Sequence, residues 1–250
     1  PDSVIDTHPF YLDGHRIRDV GFYPELSLTG ILQKSSDTGV SHLSLAMPVQ
    51  KLLDTYKSFG FGDPTGLGLT GESSGLMPQR RYWSDLDRAT FAFGYGLMVT
   101  PLQLAHVYAT IGSFGIYRPL SITRIDPPVI GTRVMPEALV HQVEHMMESV
   151  ALPGGGGTKA AVRDYRVAVK TGTAKKIGDD GKYVDKYVAY TAGVAPASDP
   201  KFALVVVINN PQNGAYYGGA VSAPVFSQIM GDVLRLENVK PDGMPADSEH

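Results

Sequence analysis

Apolar residues recur at helical spacing through the first two thirds of the chain and at strand spacing only later. From Val40 the pattern is helical. Pro48 interrupts it, but proline is tolerated in a helix's first turn, where its missing N–H costs nothing, so a second helix is expected from there. Val49, Leu52, Leu53, Tyr56 and Phe59 form its apolar face. Thr100, Pro101 and Gln103 make a capping box with proline at the first helical position. Leu104, Val107, Tyr108 and Ile111 then supply a buried stripe, and Gly112 marks the end. A further helix is predicted over about 136–152, with Leu139, Val143, Met146 and Val150 inward. The run from Gly154 to Gly157 terminates it and is expected to act as a flexible hinge.

The period then becomes two. Segments 166–173, 187–195 and 201–209 read as strands rich in valine and tyrosine. A loop holding Asp180-Gly181 joins the first two, and 196–200 joins the second pair. Both links are short, which favours antiparallel hairpins. A last amphipathic helix carrying Val225, Ile229, Met230, Val233 and Leu234 can cover one sheet face. The first forty residues and 60–75 are turn-rich, and the chain beyond Pro241 is polar, a disordered tail by expectation. Helices first and a small antiparallel sheet late make the fold class α+β.

Charge and composition remove several functions from consideration. With 25 acidic against 22 basic residues and a net charge of −3, the chain has no excess of positive charge with which to bind nucleic acid as its main partner. It contains no cysteine, hence no disulfide framework, thiolate zinc site or thiol nucleophile. The longest purely apolar run, 202–208, falls far short of the roughly 20 residues needed to cross a bilayer. The opening Pro1-Asp2-Ser3, without methionine, reads as a cut.

Several motifs compete for chemistry. Gly71-Glu72-Ser73-Ser74-Gly75 matches the G-x-S-x-G elbow, but neither an entering strand nor a leaving helix is predicted around it, so a plain loop is favoured. His141, Glu144 and His145 match the inverted zincin pattern H-x-x-E-H on a helix. No third ligand motif follows, and a solvated helix face is the stronger reading. Gly154 to Lys159 resembles a phosphate loop only superficially, since it follows a helix. His8, His15, His42 and His106 are isolated. The best signal is Lys170-Thr171-Gly172-Thr173 at a strand end, where alternation sends Lys170 and Gly172 to one face, Thr171 and Thr173 to the other. A cation, two hydroxyls and a glycine that gives a ligand's backbone room form an anion-binding edge. Ser35-Ser36-Asp37 lies more than a hundred residues upstream; K-T-G accompanies S-D-N and S-x-x-K in penicillin-interacting serine enzymes.

With these motifs the chain resembles the transpeptidase domain of class B penicillin-binding proteins. The resemblance extends through 31–36, through Phe93-Gly94-Tyr95-Gly96-Leu97-Met98-Val99-Thr100-Pro101-Leu102-Gln103-Leu104-Ala105, through Leu152-Pro153 with the four glycines, through Lys170 to Ala174, and through Tyr216-Tyr217-Gly218-Gly219, in the family's order. It implies a serine β-lactamase-like fold, an antiparallel sheet flanked by helices. Residues 1–236 would form the C-terminal portion of that domain, its N-terminal part being absent, and 237–250 a polar tail. It also implies a serine that attacks D-Ala-D-Ala in peptidoglycan stem peptides, an acyl-enzyme, and inhibition by β-lactams.

By the same resemblance Ser35 relays protons, Lys170 steers the substrate carboxylate, and the Thr171 and Thr173 hydroxyls hold it. The Thr173 N–H supplies half of the oxyanion hole, while Ser36, Gly172, Tyr217 and Gly218 line the substrate site. No cofactor and no metal are implied. Stem peptides, β-lactams, a septal glycan polymerase and other division proteins are the implied partners. The implied location is the periplasmic face of the inner membrane, with an anchor upstream of this chain.

Two departures stand out. The only S-x-x-K here is Ser198-Asp199-Pro200-Lys201, in a predicted hairpin turn where proline prevents the helical geometry the motif needs. In the family it resembles, the S-x-x-K lies upstream of the serine-serine motif and two further strands precede it, so the resemblance implies a nucleophile before Pro1, a sheet edge left unpaired, and a chain inactive alone. Asp37 takes a catalytic position by the resemblance but stands where the family has asparagine; an ionised carboxylate accepts hydrogen bonds but donates none, and its charge favours the protonated catalytic lysine, so a modest change in acylation rate is expected. Two alternatives are a non-catalytic module that binds peptidoglycan or division proteins, and a zinc protease built on His141, Glu144 and His145.

Overall fold

A computed structural model describes residues 1–243. Its centre is a three-stranded antiparallel sheet of β7 (Ala168–Ile177), β8 (Tyr183–Ala195) and β9 (Phe202–Asn209), with β8 in the middle. Alternation along these strands divides the core in two. On one side Val169, Val206 and Val167 pack with Phe226, Met230 and Leu234 of α8 (Ala223–Leu236). On the other, Ala168, Ala192 and Val194 meet Tyr108 of α5 (Pro101–Gly112) and Met147 of α6 (Glu137–Glu148). The expected α+β class and antiparallel hairpins are found, and both strands of the first hairpin run further than predicted. Among the described residues β7 and β9 are the two edges, and no helix is long and apolar enough to cross a membrane.

The N-terminal third is more ordered than its pattern suggests. Short ribbons pair β1 (Val4–Asp6) with β4 (Glu25–Ser27) and β2 (Phe10–Leu12) with β3 (His15–Ile17). Two helices follow in quick succession, α1 (Leu28–Lys34) and α2 (Asp37–Leu45), then α3 (Val49–Ser58) after Pro48. α4 (Asp85–Ala92) starts at a capping box in which Ser84 Oγ accepts from the Asp87 N–H and the Asp87 carboxylate accepts from the Ser84 N–H. Arg88 of α4 donates to the carbonyls of Leu45 and Met47 and so ties α4 to the end of α2. β5 (Ile116–Tyr117) pairs with β6 (Thr132–Arg133), and α7 (Gly218–Val221) is a single turn before α8.

Two expectations need correction. The inner face expected of the 136–152 segment is half right: Met146 and Val150 are buried as expected, but Leu139 and Val143 are exposed and Val140, Glu144 and Met147 are buried instead. The helix turns to bring Met147 onto the sheet and takes Glu144 inward with it. The expected tail is partly held. Tyr165 donates to the Val239 carbonyl at 2.6 Å, and Asp242 accepts from the N–H groups of Arg166 and Ser198. The rest of that segment, 244–250, lies outside the described residues.

Glu144 is only 2% exposed, and neither carboxylate oxygen has a hydrogen-bond partner among the described residues. Burial and the nearby charge of Glu148 push its pKa up to about 7, with Arg166 acting the other way. Above its ordinary pKa of 4.5 an unfolded chain releases this proton while the folded one keeps it, so stability falls as pH rises toward 7. Glu144→Met is expected to stabilise the fold by about 1–3 kcal/mol, with a larger gain at about pH 8 than at about pH 5. Thermal melts of both proteins at the two pH values check this; an equal gain at both would contradict it.

Candidate active site

β7 begins with both faces covered, Ala168 and Val169 being fully buried. It then leaves the core, so Lys170 emerges on the Ala168 side and Thr171 on the Val169 side. Pairing with β8 stays regular through the motif: Lys170 faces Ala192, Thr171 faces Thr191, Gly172 faces Tyr190 and Thr173 faces Ala189. The irregularity comes later, between Lys175 and Lys176. The motif therefore lies on a straight, well-paired strand that is also a sheet edge.

Gly172 has a reason beyond the room for a ligand expected of it. A Cβ there would lie 2.1 Å from Cζ of Tyr190, whose ring crosses the strand. Gly218 fits as tightly, since its own Cβ would come 2.6 Å from the Gly172 carbonyl oxygen. This approach lets the Gly218 N–H donate to Thr173 Oγ1 at 3.0 Å. With one lone pair engaged, the Thr173 hydroxyl is left to donate its proton elsewhere, as a carboxylate ligand requires. Tyr217, half exposed, stacks on Tyr216 at 4.6 Å between ring centroids, and Tyr216 stacks on Tyr187 at 4.0 Å.

The second motif reaches the strand by a tight reversal. Ser35 ends α1 in the left-handed region, at φ 54°. That conformation costs a non-glycine residue roughly 1–2 kcal/mol. It turns the chain so sharply that α2 begins two residues later. Ser36 caps α2, its Oγ accepting from the Gly39 N–H at 3.0 Å, and its own N–H closes on the Ile31 carbonyl at 2.9 Å. Ser35 is left exposed toward β7, and Lys170 Nζ donates to its Oγ at 2.9 Å and to the Thr171 carbonyl at 2.9 Å.

Asp37 and Lys170 perturb one another here. Burial, and then the charge of Asp19, push the Asp37 carboxyl up to about 6, while Lys170 pulls it down. Burial lowers Lys170 to about 8, against the pull of Asp37. Tyr95, from the turn after α4, faces the same region. Its phenol is raised by burial, then by Tyr183 and Asp37.

The tetraglycine run is not the hinge its composition suggests. Lys34 Nζ donates to the Gly154 carbonyl at 2.6 Å, and the Gly156 N–H donates to the Gln33 carbonyl at 3.2 Å. A Cβ on Gly155 would meet the Val150 carbonyl at 2.1 Å, and one on Gly219 would meet the Gly156 carbonyl at 2.1 Å. Gly157 lies against Thr171. Four residues without side chains thus form a thin layer between the end of α1, β7 and α7.

Every residue expected at the site thus lies on one of these three pieces: Ser35, Ser36 and Asp37 on the α1–α2 turn, Lys170 to Thr173 on β7, Tyr217 and Gly218 before and in α7. Together they offer a charged, hydroxyl-lined edge for an anion and a lysine–serine contact through which a proton can pass. Sequence reasoning missed Asp19, Tyr190 and the packing role of the glycines. Tyr190 was legible in principle, as an aromatic opposite a strand glycine. Asp19 carried no local signal.

Other motifs find other surroundings. Glu144 is buried, whereas His145 lies beside Glu148, and His141 stacks on Phe114 near Glu137, both histidine side chains being largely exposed. No cluster of metal-ligating side chains occurs among the described residues. Ser73 sits in a turn, accepting from the Gly75 N–H. Lys201 pairs with Asp199 instead of Ser198. His106 is buried with Nε2 at 2.6 Å from the Arg118 carbonyl, and His42 stacks on Phe10.

Comparison with known proteins agrees with this geometry. Residues 1–231 match the family model described as the penicillin binding protein transpeptidase domain. The chain is 69% identical over 243 residues to the peptidoglycan D,D-transpeptidase FtsI of Escherichia coli, covering 97% of this chain and 41% of that protein. It is 38% identical to the probable peptidoglycan D,D-transpeptidase PenA of Neisseria gonorrhoeae, over 95% of this chain and 41% of that one. Among solved structures, the apo transpeptidase domain of Burkholderia pseudomallei penicillin-binding protein 3 superposes with a TM-score of 0.92 at 36% identity, covering 98% of this chain and 75% of that one. The chain spans about two fifths of the length of the curated relatives it matches. On fold, motif geometry and these matches, the chain belongs to the penicillin-binding protein transpeptidase family.

Proposed function

We propose that this chain supplies the substrate-binding strand and the second catalytic motif of a serine D,D-transpeptidase that cross-links peptidoglycan stem peptides at the division septum. One contact carries the reading. Lys170 Nζ donates to Ser35 Oγ at 2.9 Å, joining residues 135 positions apart into the pairing of two motifs that the family uses together. The names of the relatives support it.

In this reading a serine hydroxyl adds to the D-Ala-D-Ala carbonyl and the C–N bond breaks. D-alanine leaves with a proton, and the amine of a neighbouring stem displaces the serine to form the cross-link. β-Lactams acylate the same serine. The Lys170 ammonium and the Thr171 and Thr173 hydroxyls hold the terminal carboxylate. The Thr173 N–H stabilises the oxyanion, a contribution of about 3 kcal/mol. Ser35 passes the proton toward the leaving nitrogen, Asp37 faces the catalytic lysine and the substrate backbone, and Ser36, Tyr217 and Gly218 line the substrate cleft. The sequence offers Ser198–Lys201 as its one S-x-x-K, so the reading assigns the nucleophile and its lysine to residues outside these 250. It also places the full-length protein at the periplasmic face of the inner membrane, anchored upstream and working with a septal glycan polymerase.

Incubated with fluorescent penicillin, the 250-residue chain is expected to carry no covalent label by mass spectrometry; an adduct mapped to one of its serines would overturn the assignment of the nucleophile. In the full-length protein, Lys170→Ala and Ser35→Ala are each expected to slow acylation about a hundredfold, and rates within a factor of two of wild type would remove these residues from the mechanism. Asp37 supplies a pH test. Its carboxyl is ionised above about 6 and then cannot donate to substrate, while below that value it carries a proton, as an amide does. Asp37→Asn should therefore acylate faster than wild type at about pH 7, the difference closing as pH falls through about 6. Because Asp37 also helps keep Lys170 charged, the alkaline limb near 8 should move to lower pH in the variant. Superimposable pH–rate profiles would count against both statements.

A further inference from the structure

We infer that Asp19 is a positioning residue of this site: its carboxylate grips the Ser36–Thr38 turn and so fixes Ser35 against Lys170. The inference rests on the transpeptidase reading for its consequence, though not for its geometry. Asp19 lies between β3 and β4, in a segment without regular structure. Its Oδ2 accepts from Ser36 Oγ at 2.6 Å and from Thr38 Oγ1 at 3.0 Å, and its Oδ1 accepts from the Thr38 N–H at 2.9 Å. Both oxygens are engaged, and all three donors belong to the two residues that flank Asp37.

This is a clamp on a strained turn. Ser36 is 2% exposed and Thr38 fully buried, so water does not replace the carboxylate; apart from it the two hydroxyls have one another at 3.0 Å and, for Thr38 Oγ1, the Thr7 carbonyl at 3.2 Å. Ser35, next to them, is held at φ 54°. A serine has no intrinsic preference for that conformation and keeps it only while its neighbours are fixed. On one side the Ser36 N–H is anchored to the Ile31 carbonyl, and on the other the Ser36 hydroxyl is anchored to Asp19. Releasing the second anchor lets Ser35 relax toward the right-handed region, which would carry its Oγ away from Lys170. The negative charge matters as well. The N-terminal end of α2 favours a carboxylate, and the same charge acts on Asp37, which is faced by Asp19 from the β3–β4 segment, Lys170 from β7 and Tyr95 from the turn after α4.

Asp19→Asn is the discriminating variant, because an amide oxygen can still accept from the Thr38 N–H and its NH2 can donate to Ser36 Oγ, so the fold is kept while the charge and one acceptor are lost. Asp19→Ala is the severe one. In the full-length protein, second-order acylation by fluorescent penicillin is expected to fall about tenfold in Asp19→Asn and about a hundredfold in Asp19→Ala, with the melting temperature of Asp19→Asn close to wild type. The second readout needs no nucleophile: a 13C titration of the Asp37 carboxyl in the 250-residue chain, whose midpoint is expected to fall in Asp19→Asn as a neighbouring like charge disappears. A wild-type acylation rate in Asp19→Asn, or an Asp37 midpoint that does not move, overturns the inference. If the wild-type full-length protein is itself never labelled, the transpeptidase reading fails, and the titration still tests whether the Asp19 carboxylate lies against this turn.

Discussion

A lysine ammonium that is to hold an anion must be dry enough to attract it strongly and wet enough to stay charged, and the placement of Lys170 answers both demands. Deeper in the sheet, beside Ala168, burial would neutralise it. Further along β7, beside Lys175, water and salt would screen it. At the point where the strand leaves the core, burial lowers it only to about 8, and Asp37 opposes that shift. Two acceptors, the Thr171 carbonyl and Ser35 Oγ, then aim the group. The α1–α2 turn brings the strained Ser35 and Asp37 to that charge from the opposite side, and Asp19 holds the turn there.

The remaining walls are brought close by omitting side chains. Gly172 makes space for the Tyr190 ring, Gly218 for the backbone of β7, and Gly219 for the tetraglycine layer. Backbone-to-backbone approach of this kind lets main-chain donors serve a side chain directly, as the Gly218 N–H does for Thr173 Oγ1. An alanine at Gly218 or Gly219 would meet backbone and push two elements apart, and one at Gly172 would displace the Tyr190 ring.

What could be read in the sequence was local. The Thr100-Pro101-Gln103 box, the period-two valines of 166–209 and the helix start after Pro48 each express short-range chemistry, and each element is found. The Lys170 and Ser35 motifs were legible as a pair because each retains its chemistry outside the fold. α1 was not legible: it is seven residues long, buries only Ile31, and forms because Ser27 caps it and its neighbours hold it. The face of α6 was misjudged because a glutamate at an inward position contradicts the pattern that normally reveals the inward side. Asp19 was invisible for a related reason: its partners lie 17 to 19 residues away, and nothing in an Arg-Asp-Val stretch announces a clamp.

The glycine layer between α1, β7 and α7 has a thermodynamic side. A chain of glycines has more conformational freedom to lose than any other, on the order of 1–2 kcal/mol per residue for the backbone alone, and these four recover none of it through side-chain burial. What holds them is the enclosure itself, by Gln33 and Lys34 on one side and by Thr171 and Gly219 on the other. The two halves of the site are therefore coupled through a layer that each of them helps to order, and loosening either removes part of the enclosure that the other relies on.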